Sequence, residues 1–202
     1  MRRITLESQR MSGLVDGMLR LARLDHHPEQ HHDLVDLTAL VQSSAERAQV
    51  ADPARAWRTS IAPGLVVTGD EELLRRAVDN LLANVRAHTP ADTAATITAA
   101  CRDDMVVVEV SDDGPGVPAD QLPRIFDRFY RAAAPSHRSG AGLGLAIVTT
   151  VADAHHGTAE AALNDPSGLR VTLALPHKVM AATMPGSADI PGECHDLASD
   201  PL

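Results

Sequence analysis

The sequence predicts an α+β domain, a two-layer sandwich in which one mixed β-sheet is covered by helices. Three observations lead to this prediction. Short alternating strands are interspersed with amphipathic helices, two pairs of strands are separated only by short turns, and the regular strand–helix repeat of a dinucleotide-binding fold is missing. A chain of 202 residues, 44% of them hydrophobic, is long enough for one such core with short appendages.

The first predicted element is a helix from Ile4 to about Leu24, within a segment that we assign to residues 1–26. Its apolar residues follow approximate heptad spacing and are Ile4, Met11, Leu14, Val15, Met18, Leu21 and Ala22. One helix cannot bury such a stripe on itself, so it must pack on the following domain or on helices of another chain. Residues 27–33 are predicted to be a polar linker interrupted by Pro28. The histidines of this stretch fit a solvated hinge better than a specific metal site.

Residues 34–177 are predicted to form the main domain, and its first half contains four elements. They are a helix over Leu34–Val50, short strands around Ala56–Ile61 and Leu65–Thr68, and a helix from about Glu71 to His88. Asp70 is placed as the N-cap of the second helix. The apolar residues of that helix that can face the sheet are Leu74, Val78, Leu81, Leu82 and Val85.

The second half of the domain is predicted to contain two strand pairs and one helix. The first pair is a hairpin of the strands Ala94–Cys101 and Met105–Ser111 over the turn Arg102–Asp104. A helix then runs from Leu143 to His155, with Gly157 as its stop. The second pair consists of the strands Thr158–Leu163 and Leu169–Leu175, joined by the turn Asn164–Gly168. Residues 178–202 have no periodicity and are predicted to be a disordered tail.

Composition excludes several classes of function. A formal charge of −9 argues against a nucleic-acid-binding surface, which is normally basic. No apolar run approaches the roughly 18–20 residues that cross a bilayer, and the polar N-terminus is no secretory signal. Two cysteines provide no disulfide framework. We therefore expect a cytoplasmic protein without a membrane segment in this chain.

Three polar residues of the Glu71–His88 helix share one face. Asn80, Asn84 and His88 follow at intervals of four residues. A carboxamide offers Mg²⁺ a hard oxygen without adding charge, which suits an ion that bridges nucleotide phosphates. Taken alone, this pattern is explained as well or better by ordinary surface polar contacts.

Two glycine-rich motifs follow. Asp112 ends a predicted strand, where its carboxylate can accept a hydrogen bond from an amino group such as that of adenine, and Gly114 and Gly116 allow close backbone approach. The later motif consists of Gly140, Gly142, Leu143 and Gly144 and opens a helix whose free N–H groups can bind phosphate. Between them, the segment IFDRFYR, with Phe126, is placed as the anchor of a mobile lid, RAAAPSHRSG.

In order and spacing, four motifs resemble those of the catalytic, ATP-binding domain of bacterial sensor histidine kinases in the GHKL superfamily. They are the N box DNLLANVRAHT, the first glycine box DDGPGVP, the F box IFDRFYR and the second glycine box GAGLGLAIV, and the resemblance covers about Val35 to Pro176. It implies the Bergerat fold, with a mixed sheet behind three helices.

The resemblance also implies an ATP–Mg²⁺ site. Asn84, helped by Asn80, would bind Mg²⁺, and Asp112 would bind the adenine amino group. The glycines of both boxes would line the nucleotide and its lid, and His88, Phe126 and Leu143 would belong to the same site.

The N-terminal helix resembles the second helix of a dimerisation and phosphotransfer bundle. The helix that carries the phosphoacceptor histidine in this family is not recognisable, since none of the ten histidines has its Ser-His-Glu-Leu-Arg-Thr-Pro-type setting. The leading hypothesis is therefore the ATP-binding subunit of a split two-component kinase, with a partner that supplies the acceptor histidine and passes the phosphate to a response regulator. The alternatives are a truncated piece of a membrane-bound kinase and a non-catalytic nucleotide-binding regulator.

Two departures from the family bear on catalysis. The basic residue usually found three positions after the magnesium asparagine is replaced by Ala87, with Arg86 one helical step away, and Val85 replaces a usual alanine. Related ATPases use a glutamate where this chain has Asn80, whose amide cannot act as a general base. ATP hydrolysis as a motor is therefore not expected.

Overall fold

The computed structural model describes residues 33–130 and 142–178. The predicted N-terminal helix, nearly all of the linker, the lid segment and nearly all of the tail fall outside these ranges. The domain boundaries at residues 26, 33 and 177 therefore remain predictions. None of the helices in the described part of the chain is long and apolar enough to cross a bilayer.

The domain begins with a short strand, which corrects one prediction. Residues predicted as the first turn of a helix from Leu34 instead form strand β1, Asp33–Asp36, and helix α1 spans Leu37–Ala51. The Asp36 carboxylate accepts the Ala39 N–H at 3.0 Å and caps α1, so the helix cannot extend further back. Before this cap, β1 pairs antiparallel with β3, Val66–Gly69, and buries Val35 against the core.

Helix α2 spans Glu71–His88, as the sequence predicts. Asp70 is its N-cap, and its carboxylate accepts the N–H groups of Glu72 and Leu73. The apolar residues predicted to face the sheet are all buried. The opposite edge of the helix leaves Asn80 and Asn84 half-buried and His88 exposed.

A five-stranded mixed sheet forms the second layer, in the order β2-β4-β5-β7-β6. Its strands are β2 Trp57–Ile61, β4 Ala95–Arg102, β5 Met105–Asp112, β6 Thr158–Leu163 and β7 Leu169–Pro176. Strand β2 runs parallel to β4, and the other pairs are antiparallel. The β4–β5 hairpin turns through Asp103 and Asp104, both with positive φ. The predicted α+β sandwich is confirmed.

Helix α3 spans Gly144–Ala154, and the residue that stops it differs from the prediction. The left-handed residue after the helix is His156, with φ 57°, rather than Gly157. The N–H groups of His156 and Gly157 return to the carbonyls of Asp153 and Ala152, the paired closure of a Schellman motif. Gly157 is needed for a different reason: a side chain there would collide with the Ala174 carbonyl of β7.

Candidate functional site

Asp112, the last residue of β5, is held firmly in the core. The residue is 6% exposed, and its Oδ1 accepts the Gly114 N–H at 2.9 Å and the Leu169 N–H at 3.4 Å. Its backbone carbonyl accepts the Asn164 side-chain amide at 2.9 Å. No donor from the described part of the chain reaches Oδ2, so this oxygen is left to accept a hydrogen bond from a ligand.

Burial raises the pKa of the Asp112 carboxyl above its usual 3.8, because a charged carboxylate is poorly solvated there. The hydrogen bonds from Gly114 and Leu169 oppose this effect, the nearby charge of Asp113 reinforces it, and the positive charge of Arg55 weakens it. With two donors already at Oδ1, a proton on this carboxyl belongs on Oδ2. Protonation would therefore turn the one available acceptor into a donor.

Gly114 and Gly116 shape the loop after Asp112. A side chain at Gly114 would lie 2.9 Å from the Thr89 methyl group at the end of α2, so the first glycine box packs directly on the N box. Gly116 has φ 66°, and a side chain there would lie 2.7 Å from the Gly168 carbonyl in the β6–β7 turn. Both positions require glycine, the second also for its left-handed backbone.

The face of α2 that carries Asn80 and Asn84 meets the start of α3. The side-chain nitrogen of Asn80 donates to the Arg76 carbonyl at 2.9 Å. The Oδ1 of Asn80 would lie 3.5 Å from a Cβ atom placed on Gly144. Asn84, one turn further along, has no side-chain hydrogen bond to another described residue. The N box thus also contacts the second glycine box.

The N-terminus of α3 receives no side-chain cap from the described residues. Leu143 precedes it and is buried, with no side-chain cap on the first turn. Gly142 adopts a left-handed backbone conformation, with φ 68°, two residues before the helix begins. The first N–H groups of a helix have no partner within it, so this end suits an anion. Gly140, assigned to the same motif, lies outside the described residues.

The F box packs against the second glycine box. Ile125 is buried, and Phe126 is half-buried against the core. Phe129 has φ 65° and a 45% exposed side chain, and its N–H donates to the Gly142 carbonyl at 2.9 Å. This bond joins the two points where the predicted lid segment leaves and re-enters the described structure.

Three contacts therefore bring the four motifs into one continuous region: Thr89 with Gly114, Asn80 with Gly144, and Phe129 with Gly142. We name the two ends of this region the Asp112 end (Asp112, Gly114 and Thr89) and the Gly144 end (Asn80, Gly142 and Gly144). From Asn80 to Thr89, α2 rises by about 13 Å. Asn84 lies between the two ends, and His88 is on the exposed part of the same helix.

Several residues at the Asp112 end were not identified from the sequence. Asn164 and Gly168 belong to the β6–β7 turn and Leu169 begins β7, and all three pack on Asp112. Arg55 and Thr89 are further examples. No sequence signal relates Arg55, Asn164 or Leu169 to Asp112, since each lies more than 50 positions from it, so only the folded chain reveals these relations.

No three or more His, Cys, Asp or Glu side chains in the described ranges are grouped as a metal site of their own. The residues expected to bind Mg²⁺ are instead carboxamides. Such oxygens fit an ion whose remaining ligands come from phosphate groups and water.

Comparison with known proteins finds relatives among the histidine kinases. Residues 69–179 match the family model described as histidine kinase-, DNA gyrase B-, and HSP90-like ATPase. The chain is 39% identical over 161 residues to the probable sensor histidine kinase TcrY of Mycobacterium tuberculosis. That match covers 78% of this chain and 34% of TcrY, so the chain spans about a third of this relative's length.

Solved structures show the same fold. The mycobacterial sensor histidine kinase MprB superposes with a TM-score of 0.69 at 30% identity, covering 73% of this chain and 100% of that one. Full-length ShkA in complex with AMPPNP superposes with a TM-score of 0.70 at 28% identity, covering 87% of this chain and 38% of that one.

Proposed function

Since this chain belongs to the histidine kinase-, DNA gyrase B-, and HSP90-like ATPase family, we propose that it binds Mg²⁺-ATP and transfers the γ-phosphate to a histidine of a separate partner protein. Its relatives are sensor histidine kinases, so the reaction belongs to two-component signalling, in which the partner passes the phosphate to a response regulator. We place the reaction in the cytoplasm.

The observation that carries this proposal is the continuity of the four motifs from the Asp112 end to the Gly144 end. Adenine would bind at the Asp112 end, where its amino group donates to Oδ2 of Asp112. The phosphates would reach the Gly144 end, where the uncapped N-terminus of α3 favours negative charge. Their separation of about 13 Å along α2 is one that an extended nucleotide triphosphate can bridge.

Magnesium fits between these ends. Asn84 is the residue on this face of α2 with no side-chain hydrogen bond to another described residue, so its oxygen needs no rearrangement to become a ligand. The Asn80 amide nitrogen is already engaged with the Arg76 carbonyl, which fixes its oxygen toward Gly144 and suits a supporting role. When bound, the ion supplies charge neutralisation of the phosphates.

In the proposed reaction, the main contribution of this domain is to position the nucleotide, because the nucleophile belongs to the partner. The imidazole nitrogen of the partner attacks the γ-phosphorus, the bond from the β–γ bridging oxygen to that phosphorus breaks, and ADP leaves. Asn80 cannot activate water, so hydrolysis has no general base there. His155 of this chain is unsuited as acceptor, because it is buried and its Nε2 accepts the Asp70 N–H while Nδ1 contacts the Val151 carbonyl.

A second candidate, a nucleotide-binding regulator without transferase activity, is favoured by the N box itself. Ala87 replaces the usual basic residue, and Nε of the adjacent Arg86 is buried. If the regulator is the correct function, Ala87→Lys should raise phosphotransfer by orders of magnitude without changing ATP affinity. Efficient transfer by the wild type would exclude it.

The binding half of the proposal is tested with Asn84→Ala. We expect the affinity for ATP in excess Mg²⁺ to fall by about tenfold or more, as for loss of one ligand to a phosphate-bound ion. Affinity for ATP in EDTA should not change, because Asn84 would contact the ion and not the base. The measurement is isothermal titration calorimetry. Gln42→Ala, which removes an exposed carboxamide from α1, is the matched control.

The transfer half is tested by mixing the chain with γ-labelled ATP and candidate partner proteins that carry an acceptor histidine. Acid-labile label should appear on the partner and should be lost with Asn84→Ala. Label on this chain in the absence of any partner would contradict transfer to a separate protein. It would show instead that an acceptor lies within this chain itself.

A further inference from the structure

Arg55 is a fully buried cation in the loop between α1 and β2, outside all four motifs. Its side chain is 0% exposed, and its Nε pairs with the Asp52 carboxylate at 2.9 Å. One terminal nitrogen, Nη1, donates to the Thr89 hydroxyl and to the Thr93 carbonyl, both at 2.8 Å. The other, Nη2, is buried without a hydrogen-bond partner in the described part of the chain.

The two bonds from Nη1 close the connection between α2 and β4. They join Thr89, the first residue after α2, to Thr93, which lies two residues before β4. The Thr89 hydroxyl in turn donates to the Val85 carbonyl at 2.7 Å, which fixes its side-chain rotamer and directs the methyl group onto Gly114. Gly114 donates to Oδ1 of Asp112. An unbroken series of contacts therefore runs from Arg55 to the adenine-binding carboxylate.

Charge provides a second, independent connection. Among the described residues, the charged groups that act on the Asp112 carboxyl are Asp113, next in the sequence, and Arg55, whose effect on the pKa is the weaker of the two. Asp113 makes ionisation of Asp112 less favourable, as burial does, whereas Arg55 makes it more favourable. Asp52 is the only carboxylate paired with Arg55 in this part of the chain, and the groups of β7 and of the β6–β7 turn that touch Asp112 are uncharged.

We propose that Arg55 is a positioning residue for adenine recognition, which fixes Thr89 against Gly114 and supplies the positive charge that keeps Asp112 able to accept the adenine amino group. This inference rests on the proposed function and names a residue that the family motifs do not include. A neutral side chain could close the same loop without the cost of burying a charge. The positive charge adds an effect that a neutral side chain lacks: it favours the ionised form of Asp112, in which Oδ2 can accept the amino group.

The test compares ATP binding by the full chain with that of Arg55→Met and Arg55→Lys between pH 5 and pH 8. Calorimetric titrations give the ratio of variant to wild-type affinity at each pH, and this ratio cancels the titration of the nucleotide itself. For Arg55→Met, we expect a lower ratio at pH 5 than at pH 8, because loss of this positive charge raises the pKa of Asp112 further and Oδ2 is then protonated more often at the lower pH. Arg55→Lys keeps the charge, so its ratio should be lowered equally at both pH values.

A purely structural role predicts a different result, namely that Arg55→Met weakens binding by the same factor at every pH. That outcome, or unchanged affinity, would overturn the proposal. If Arg55→Met does not fold, Asp52→Asn decides instead. Removing the partner carboxylate leaves the charge of Arg55 uncompensated, so affinity relative to wild type should be higher at pH 5 than at pH 8, and an equal or opposite dependence would refute the inference.

Failure of the proposed function is recognised separately. If the wild-type chain itself binds no ATP at pH 8, the nucleotide site is wrong and the role of Arg55 in it is wrong as well. If the wild type binds ATP and its affinity depends on Asp112 but not on Arg55, the proposed function stands and only the positioning role is excluded.

Discussion

The two ends of the candidate site differ in how firmly the protein holds them. At the Asp112 end, the carboxylate, the backbone carbonyl of Asp112 and the following glycines are held by Leu169 at the start of β7 and by Asn164 and Gly168 of the β6–β7 turn. At the Gly144 end, one backbone bond joins Phe129 to Gly142, and Asn84, which lies between the two ends, has no side-chain bond to a described residue. In the proposed site, the end assigned to the base is therefore part of the core, whereas the groups assigned to the phosphates and the ion make fewer hydrogen bonds to the described residues.

The largest expected effect concerns the firmly held end. Asp112→Asn should weaken ATP binding by roughly 100-fold, because a hydrogen bond to a charged group contributes about 1.5–3 kcal/mol. With the asparagine oxygen still accepting the Gly114 and Leu169 N–H groups, its amide nitrogen would face the adenine amino group, donor against donor.

The same variant should bind GTP with less penalty, since guanine presents a carbonyl oxygen in place of that amino group. Competition titrations with ATP and GTP measure both effects. Asp113→Asn, an exposed carboxylate next in sequence, is the control and should retain preference for ATP. Unchanged ATP affinity in Asp112→Asn would show that base recognition lies elsewhere.

Substitution of two glycines with positive φ, Gly116 at the first end and Gly142 at the second, compares how the two ends contribute to stability. A side chain at Gly116 would press on the Gly168 carbonyl, and one at Gly142 on the Tyr130 carbonyl, each at 2.7 Å. Gly116→Ala should lower the free energy of unfolding by about 1–3 kcal/mol, because the strain falls on the core. Gly142→Ala should cost less stability and mainly weaken ATP binding.

Chemical denaturation and calorimetry measure these two quantities. Gly64→Ala is the matched control, since Gly64 has φ 73° with open space around it and so reports backbone strain alone. Equal destabilisation by Gly116→Ala and Gly142→Ala would mean that both ends are equally part of the core.

The smallest expected effect is on the pH dependence of the thermal stability of Asp112→Asn relative to wild type. The pKa of Asp112 is raised in the folded protein, so ionisation of this group opposes folding at neutral pH. Asp112→Asn should therefore have a higher Tm than wild type at pH 8. The difference should shrink as the pH falls through the raised pKa and vanish below about 3.8, where the carboxyl is also protonated in the unfolded chain.

Thermal unfolding followed by circular dichroism from pH 3 to pH 8 measures this difference. The asparagine oxygen can accept the same two backbone hydrogen bonds as Oδ1, so the difference in Tm reports the charge of the carboxylate and not the loss of these bonds. A lower Tm for Asp112→Asn at pH 8 would show that the native carboxylate is stabilised by its surroundings, contrary to the proposed desolvation.

Much of the fold could be predicted because its signals are local. Helix α2 carries its own cap at Asp70 and its own apolar face, and the β4–β5 hairpin carries its own turn, so the sequence places both within a residue. The predictions failed at element ends. The start of α1 was placed three residues early because the pairing of β1 with β3 is not a local property.

The sequence by itself determined which residues form the four motifs and what chemistry their side chains offer, since residue type and spacing on one helix or loop are local properties. Only the tertiary structure decided how the motifs touch, through Thr89 with Gly114 and Asn80 with Gly144. It also revealed that two residues more than 50 positions from Asp112 act on it: the charge of Arg55 acts on its carboxylate, and the Asn164 side-chain amide donates to its backbone carbonyl. Burial and charge depend on what the folded chain brings together in space, and that cannot be read from neighbours along the sequence.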